Sequence, residues 1–414
     1  MIRCTQSWSA TAALRRVSTS SATPNSSFVG WSRHFSAVIA PEASAAASTT
    51  TPWLKGPQFA HNRTVRRWLF GSSVIVFGVV CFGGITRLTE SGLSIVEWRP
   101  VTGVRPPITQ EEWEAEFAKY KYSPEFAQRS DMDVETFKWI FFWEWAHRFL
   151  ARTVGVVYGG PLVYFAARGY LRGQPLMLAA LIGLLGLGGA QGALGWYMVK
   201  SGLDPKLLEE KKKATVSAYR LAAHLTLAFT IYSGMMRIAF GLGNPLMAPF
   251  AGKFAVQSLA RLSTTVMFCT AISGAFVAGL DAGLVYNDGF PFMAGGIFPP
   301  ADHIWVTEPW WKNFLENPCG AQLWHRLMAG STTGCILLLN LAARRYKGTL
   351  PPAVKSALRA VNVMLFIQVS LGIGALQSFV AIPQAAAHQA GSLILLTKLI
   401  RLCAIMGSRG TILL

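Results

Sequence analysis

The sequence predicts an all-α polytopic membrane protein with eight transmembrane helices, and three observations support this fold class. First, 52% of its 414 residues are hydrophobic and 14% are charged, with a mean hydropathy of +0.36. Second, eight apolar runs have lengths close to the ~20 residues that a helix needs to cross lipid. Third, the first four runs resemble the last four in sequence. The runs cover residues 68–87, 139–167, 175–199, 217–240, 259–284, 321–343, 357–381 and 384–405.

Residues 1–60 differ in composition from the remainder, and we predict a mitochondrial transit peptide followed by a matrix-side tail. The first acidic residue is Glu42, and the stretch before it is rich in Arg, Ser, Thr and Ala. An acid-poor leader of this kind is typical of organellar targeting. Residues 33–36 (RHFS) also resemble an arginine-proximal processing site. The alternative is a disordered cytosolic tail.

The loops between the runs alternate in charge, which predicts the orientation of the chain. One set of loops is basic, whereas the long loops 90–138 and 281–316 carry several carboxylates. The positive-inside rule then places both termini in the matrix and the long loops in the intermembrane space, across the mitochondrial inner membrane. The loop with Lys211-Lys212-Lys213 goes against this trend, although acidic neighbours partly offset it.

The formal net charge of +18 does not indicate a nucleic-acid partner, because the basic residues are spread over several loops beside apolar runs. We expect a lipid bilayer as their surroundings. The six cysteines show no C-x-x-C spacing, and we predict no structural disulfide. The basic residues that define the matrix side are Arg63, Arg66, Arg67, Arg168, Arg172, Arg237, Lys253, Arg261, Arg344, Arg345, Lys347, Lys355 and Arg359.

The two halves of the chain share four motifs, which predicts an internal duplication. Each half holds four spans, an even number, so the repeats are parallel and related by a pseudo-two-fold axis along the membrane normal. We predict an N-terminal repeat over 61–241 and a C-terminal repeat over 242–414. The matched motifs are 90–93 with 281–284, 144–148 with 322–326, 191–195 with 368–372, and 222–224 with 386–388.

Four histidines lie near the starts of the even-numbered spans: His147, His224, His325 and His388. Ligand-type side chains within membrane helices are costly and usually functional. The duplication pairs His147 with His224 and His325 with His388, at one depth in the membrane. Neutral imidazoles are normal axial ligands of haem iron, so the pattern predicts two bis-histidine haem sites side by side. The alternative for each histidine is a hydrogen-bonded contact between helices.

Glu144 breaks the symmetry of the halves, because its counterpart is Gln322. It lies three residues before His147 and therefore projects from the same helix face. A carboxylate beside a haem edge can act as a general base or stabilise developing positive charge. We therefore predict chemistry in the first half and a permanent cofactor in the second. The alternatives are a structural pair with a nearby arginine and, because of the Glu-x-x-His spacing, a di-iron site.

An arginine follows the first histidine of each pair, at Arg148 and Arg326. A guanidinium matches the planar geometry of a carboxylate, so these residues are candidates for pairing with haem propionates. The alternative is a long side chain that reaches from the apolar span to the membrane interface.

Together these motifs resemble those of mitochondrial haem A synthase, a membrane enzyme that oxidises haem O to haem A for cytochrome c oxidase. The resemblance covers about residues 60–397. It includes residues 83–94 (GGITRLTESGLS), the Glu144-x-x-His147-Arg148 motif, residues 191–195, His224, His325-Arg326 and residues 388–391 (HQAG).

The resemblance implies substrate haem in the first half, with ligands His147 and His224, and a haem b cofactor in the second, with ligands His325 and His388. It also implies oxidation of the C8 methyl of haem O to a formyl group by successive hydroxylation, with Glu144 essential. Haem O synthase, a ferredoxin-type electron donor and a second copy of the chain are the partners that it suggests.

The C-terminus departs from this resemblance after Thr397, where Lys398 and Arg401 interrupt the apolar run. We therefore expect a short eighth span whose basic residues reach the matrix interface. Two other functions stay open at this point: a di-haem b-type protein that transfers electrons, and a haem transporter without chemistry of its own.

Overall fold

The computed structural model describes residues 59–99, 102–209, 214–243, 247–287 and 289–407. Most of the predicted transit peptide, the lysine run at 211–213 and residues 408–414 lie outside these ranges. Within them the regular structure is helical, and eight helices are long and apolar enough to cross a membrane. They are α1 (Phe59–Leu88), α2 (Val134–Ala167), α3 (Pro175–Gly202), α4 (Ala218–Gly243), α5 (Lys253–Gly279), α6 (Pro318–Arg345), α7 (Pro352–Gln377) and α8 (Ile382–Met406).

The contacts between helices follow a two-fold pattern. Helix α1 packs against α2 and α4, and α5 packs against α6 and α8 in the same way. The contact between α3 and α4 in the first half corresponds to that between α7 and α8 in the second. The contact between α4 and α5 corresponds to that between α8 and α1, and α4 also contacts α8. Every one of these contacts has its counterpart in the other half, as the predicted pseudo-two-fold arrangement requires.

The apolar core lies mainly between α1, α4, α5 and α8. Phe229 of α4, Val256 of α5 and Leu399 of α8 are fully buried there. Helices α2, α3, α6 and α7 surround this core and expose large apolar side chains, such as Val163 and Phe366. Since lipid tails are as apolar as a protein core, such exposed faces are compatible with a membrane.

Helix α2, which carries three of the candidate site residues, is preceded by the N-capping residue Asp133. The carboxylate of Asp133 accepts a hydrogen bond from the backbone N–H of Thr136 at 2.8 Å. Hydrogen bonds from the Thr136 side chain and backbone lower the pKa of Asp133. A capping carboxylate at this position satisfies an otherwise free N–H and interacts favourably with the helix dipole.

The long loop after α1 folds over the end of α2. Its helix Gln110–Lys121 has a capping box, in which Thr109 and Glu112 bond to each other's backbone. The aromatic rings of Phe117 and Tyr120 pack on Phe137 of α2, with ring centroids 5.1 Å from it.

Two predicted span ends and the expected shortness of the eighth span were wrong. The fifth span ends at Gly279 and not at residue 284, and the seventh ends at Gln377 and not at 381. In both places the next residues turn sharply: Asp281 and Phe379 each have φ of 52°. The eighth span is not short, because α8 continues through Lys398 and Arg401 to Met406.

Candidate functional site

The two histidines of the first half each lie against a glycine of a neighbouring helix. A Cβ atom built on Gly83 of α1 would stand 2.8 Å from Cε1 of His147 on α2. A Cβ atom on Gly195 of α3 would stand 3.2 Å from Cε1 of His224 on α4. A side chain at Gly83 would therefore displace the His147 ring, and one at Gly195 would press on the His224 ring.

The second half repeats this arrangement. Cβ atoms built on Gly274 of α5 and Gly372 of α7 would stand 3.1 Å and 2.7 Å from Cε1 of His325 and His388. The centroids of these two imidazole rings are 6.3 Å apart. Two metal–imidazole bonds of ~2 Å, together with the ring radii, give a separation of about 6 Å, so this pair fits ligation of one metal between the rings.

Hydrogen bonds orient the first histidine of each pair. Nδ1 of His147 lies 3.0 Å from the carbonyl oxygen of Val79, and Nδ1 of His325 lies 2.8 Å from the hydroxyl of Ser273. When Nδ1 donates to such an oxygen, Nε2 keeps its lone pair for a metal. The chemistry of both rings is therefore suited to haem iron.

The matched glutamines of the third and seventh spans hold the second histidine of each pair. The side-chain amide of Gln191 donates to the backbone carbonyl of His224 at 3.1 Å, and that of Gln368 donates to the carbonyl of His388 at 3.0 Å. Each glutamine lies one helical turn before the glycine that touches the same imidazole. The repeated Gln-x-x-x-Gly motif thus supports one histidine in each half.

Glu144 is buried and anchors the segment that follows α1. Its Oε2 accepts hydrogen bonds from the Ser94 hydroxyl at 2.7 Å and from the backbone N–H of Ile95 at 2.8 Å. Its Oε1 accepts from Arg148 at 2.5 Å. Three donors, one of them cationic, therefore hold the Glu144 carboxylate in place. The sequence indicated the arginine as an alternative partner but gave no sign of Ser94 and Ile95.

Arg148 ties the same segment to α2. Besides Glu144, its guanidinium donates to the carbonyl oxygens of Ile95 at 3.0 Å and Glu97 at 3.4 Å. A guanidinium has five N–H donors, so these bonds leave capacity for a further acceptor. Pairing of Arg148 with a haem propionate stays a prediction.

In the second half the same positions have the opposite polarity. The amide of Gln322 donates a hydrogen bond to the carbonyl oxygen of Ala282 at 3.0 Å. Glu144, at the matching position, instead accepts hydrogen bonds from the segment after α1. Arg326 donates to the carbonyl oxygens of Pro291 at 3.0 Å and Tyr286 at 3.3 Å. The two halves therefore share one architecture, but among the described residues only the first half places a carboxylate at this position.

The glycines beside the histidines were recognised in the sequence only as parts of motifs, and Gly274 was missed. The duplication contained the signal for it. Gly274 lies seven residues before Asp281, as Gly83 lies seven residues before the matched Glu90. Aligning the repeats over their full length would have shown this pair.

The fold and these residues define a class: an eight-helix membrane protein with two paired-histidine sites, one of which has an adjacent buried carboxylate. The family described as "Cytochrome oxidase assembly protein" (COX15-CtaA) matches residues 66–400. This match covers most of the chain, and the chain therefore belongs to this family.

Individual relatives agree with this assignment. The chain is 43% identical over 364 residues to "Heme A synthase COX15" of Saccharomyces cerevisiae, which covers 81% of this chain and 74% of the relative. It is 43% identical to "Heme A synthase" of Rhodospirillum centenum, over 82% of this chain and 88% of that protein. It is 40% identical to the "Heme A synthase-mitochondrial ferredoxin fusion protein" of Schizosaccharomyces pombe, over 82% of this chain and 59% of the fusion.

Proposed function

We propose that this chain is a haem A synthase that oxidises the C8 methyl of haem O to a formyl group by successive hydroxylation. The names of its relatives support this activity. In this proposal His147 and His224 bind the substrate haem in the N-terminal repeat, 61–241. His325 and His388 bind haem b as a resident cofactor in the C-terminal repeat, 242–414.

The observation that carries the proposal is the single carboxylate beside two similar histidine pairs. The Glu144 carboxylate accepts hydrogen bonds from Arg148, the Ser94 hydroxyl and the Ile95 backbone, whereas Gln322 is an amide in the matching place. Two equal electron-transfer sites would have no use for this difference. An enzyme with one reacting site and one cofactor site requires it.

Haem b held by His325 and His388 would supply redox chemistry. The chain's residues orient the substrate and manage charge. His147 and His224 fix the substrate by its iron, and Arg148 and Arg326 pair with propionates through donors not used by the loops. The Glu144 carboxylate would accept a hydroxyl proton as the twice-hydroxylated carbon loses water to become the formyl group, or would stabilise positive charge developing on that carbon.

The surroundings of the enzyme follow from its relatives and its helices. The eight apolar helices and the yeast relative support a multi-pass protein of a mitochondrial membrane. We propose the inner membrane, with both termini in the matrix. The Schizosaccharomyces pombe fusion supports a ferredoxin-type electron donor, and a haem O synthase would supply the substrate.

Replacement of Glu144 by Gln tests the proposal. The variant gives the first half the amide side chain that the second half has at Gln322. We expect haem A formation to fall by about 100-fold or more, because an amide cannot act as a general base. Haem binding should persist, because the histidines are unchanged. The measurement is extraction and chromatography of the haems from cells and from purified protein.

Glu135→Gln is the matched control, because Glu135 is an exposed carboxylate on the same helix, paired with Lys138 at 2.7 Å. It should leave haem A formation unchanged. If the wild-type protein holds only haem b, with no haem O-derived product, and Glu144→Gln changes nothing, the chain is a di-haem electron carrier.

A further inference from the structure

A cluster of cations and aromatic rings lies beside the first histidine pair, on the end of the bundle that carries the long loops. On α3, the two residues after Gly195 are Trp196 and Tyr197. Arg220 stacks on Tyr197, with its guanidinium carbon 4.8 Å from the ring centroid and a hydrogen bond of 3.4 Å to the phenol oxygen. The ammonium of Lys200 lies 5.0 Å from the centroid of Trp196.

This cluster is next to the proposed substrate pocket. Arg220 lies four residues before His224 on α4, so both side chains project from one face of the helix. Trp196 follows the glycine that touches the His224 ring, and it packs on Trp98 with ring centroids 5.8 Å apart. Trp98 belongs to the segment that Glu144 holds. The cluster therefore forms a rim above the first pocket.

The rim has no equivalent in the second half. When Gly195 is matched with Gly372 and His224 with His388, Trp196 and Tyr197 become Ile373 and Gly374. The cations become amides in the same alignment. The residues that replace Lys200 and Arg220 are Gln377 and Gln384.

No described carboxylate neutralises the charge of these two cations. Within the described residues, no carboxylate lies within ion-pair distance of Lys200 or Arg220. The rings hold both cations in place, while Trp196 and Tyr197 stay 38% and 48% exposed. A cation fixed over an aromatic face keeps its N–H donors available for an anion.

We propose that Arg220 and Lys200 bind a propionate carboxylate of the substrate haem, and that the resident haem has no such anchor. The inference rests on the proposed function, because it places substrate in the first pocket. Arg148 is tied to Glu144 and to the loop, so it serves at most one propionate from its remaining donors. The rim supplies the second contact and distinguishes the exchanging haem from the permanent one.

The test is a titration of the purified full-length protein with iron protoporphyrin IX and, separately, with its dimethyl ester. Binding that disappears in His147→Ala is assigned to the first pocket. We expect Arg220→Gln to weaken this binding of the free acid by about tenfold, the loss of one charged hydrogen bond. Lys200→Gln should act in the same direction, and Arg220→Lys should recover part of the loss.

The ester separates carboxylate binding from a structural effect. It lacks the propionate charges, so Arg220→Gln should leave its affinity unchanged. Lys206→Gln is the matched control, since it removes one exposed charge six residues after Lys200 that is not stacked on Trp196 or Tyr197. It should change neither titration.

Equal weakening of acid and ester would overturn the inference, as would no weakening of the acid. Either result leaves the proposed function intact, provided that His147-dependent binding is present. Absence of any His147-dependent binding contradicts both proposals.

Discussion

Four glycines determine where the four imidazole rings can lie, and they allow the sharpest prediction at the scale of single residues. Gly83→Ala places a methyl group 2.8 Å from Cε1 of His147, closer than carbon atoms approach without displacement. The ring must move, and overpacking of this kind costs about 1–3 kcal/mol. We expect haem binding at the first pocket to weaken by about tenfold, measured by the same titration in the ultraviolet–visible range.

Gly78→Ala is the control for this substitution, because a Cβ atom at Gly78 on the same helix meets nothing within 4 Å. It should bind haem as the wild type does. The second half offers a similar test at the other histidine of its pair, His388, with Gly372→Ala as the variant and Gly374→Ala as its control. Equal haem binding by Gly83→Ala and Gly78→Ala would show that contact with glycine does not set the position of His147.

At the scale of elements, the sequence was sufficient to predict the eight helices and their pairing. Apolar length identifies a span, and matched motifs identify its partner, because both signals are local. The ends were less predictable. The last apolar residues of the fifth and seventh runs leave the helix in turns with positive φ at Asp281 and Phe379, which no glycine marks.

The segments after α1 and α5 show why part of the site could not be predicted. Glu90 and Asp281 both adopt left-handed φ values, of 51° and 52°, so the two segments turn back over α2 and α6 in the same way. The motif identified the residues but not this turn. The partners of Glu144 depend on the turn, and so the sequence predicted the carboxylate but not the Ser94 and Ile95 donors that hold it.

At the scale of the whole molecule, side-chain contacts join the two repeats. Arg87 at the end of α1 forms an ion pair of 2.7 Å with Asp281 beyond the end of α5. In the same interface, Gln389 of α8 donates to the carbonyl oxygen of Val80 on α1 at 2.8 Å. These contacts hold the two histidine pairs in one rigid arrangement.

Exchange of the charges at Arg87 and Asp281 tests this connection. Arg87→Asp and Asp281→Arg should each lower stability by about 1 kcal/mol, because each places like charges together at a partly exposed pair. The double variant should recover much of this loss, as the ion pair is restored in reverse. Thermal unfolding in detergent measures the effect, and purely additive losses would show that the pair does not couple the repeats.

The division of labour between the halves is the central claim, and the haem content of two histidine variants tests it most directly. Purified His325→Ala should lose the tightly held haem b, because one axial ligand of the resident cofactor is missing. Purified His147→Ala should retain that haem b and lose only the substrate haem. Loss of haem b in His147→Ala, with normal haem b in His325→Ala, would contradict the assignment and reverse the two pockets.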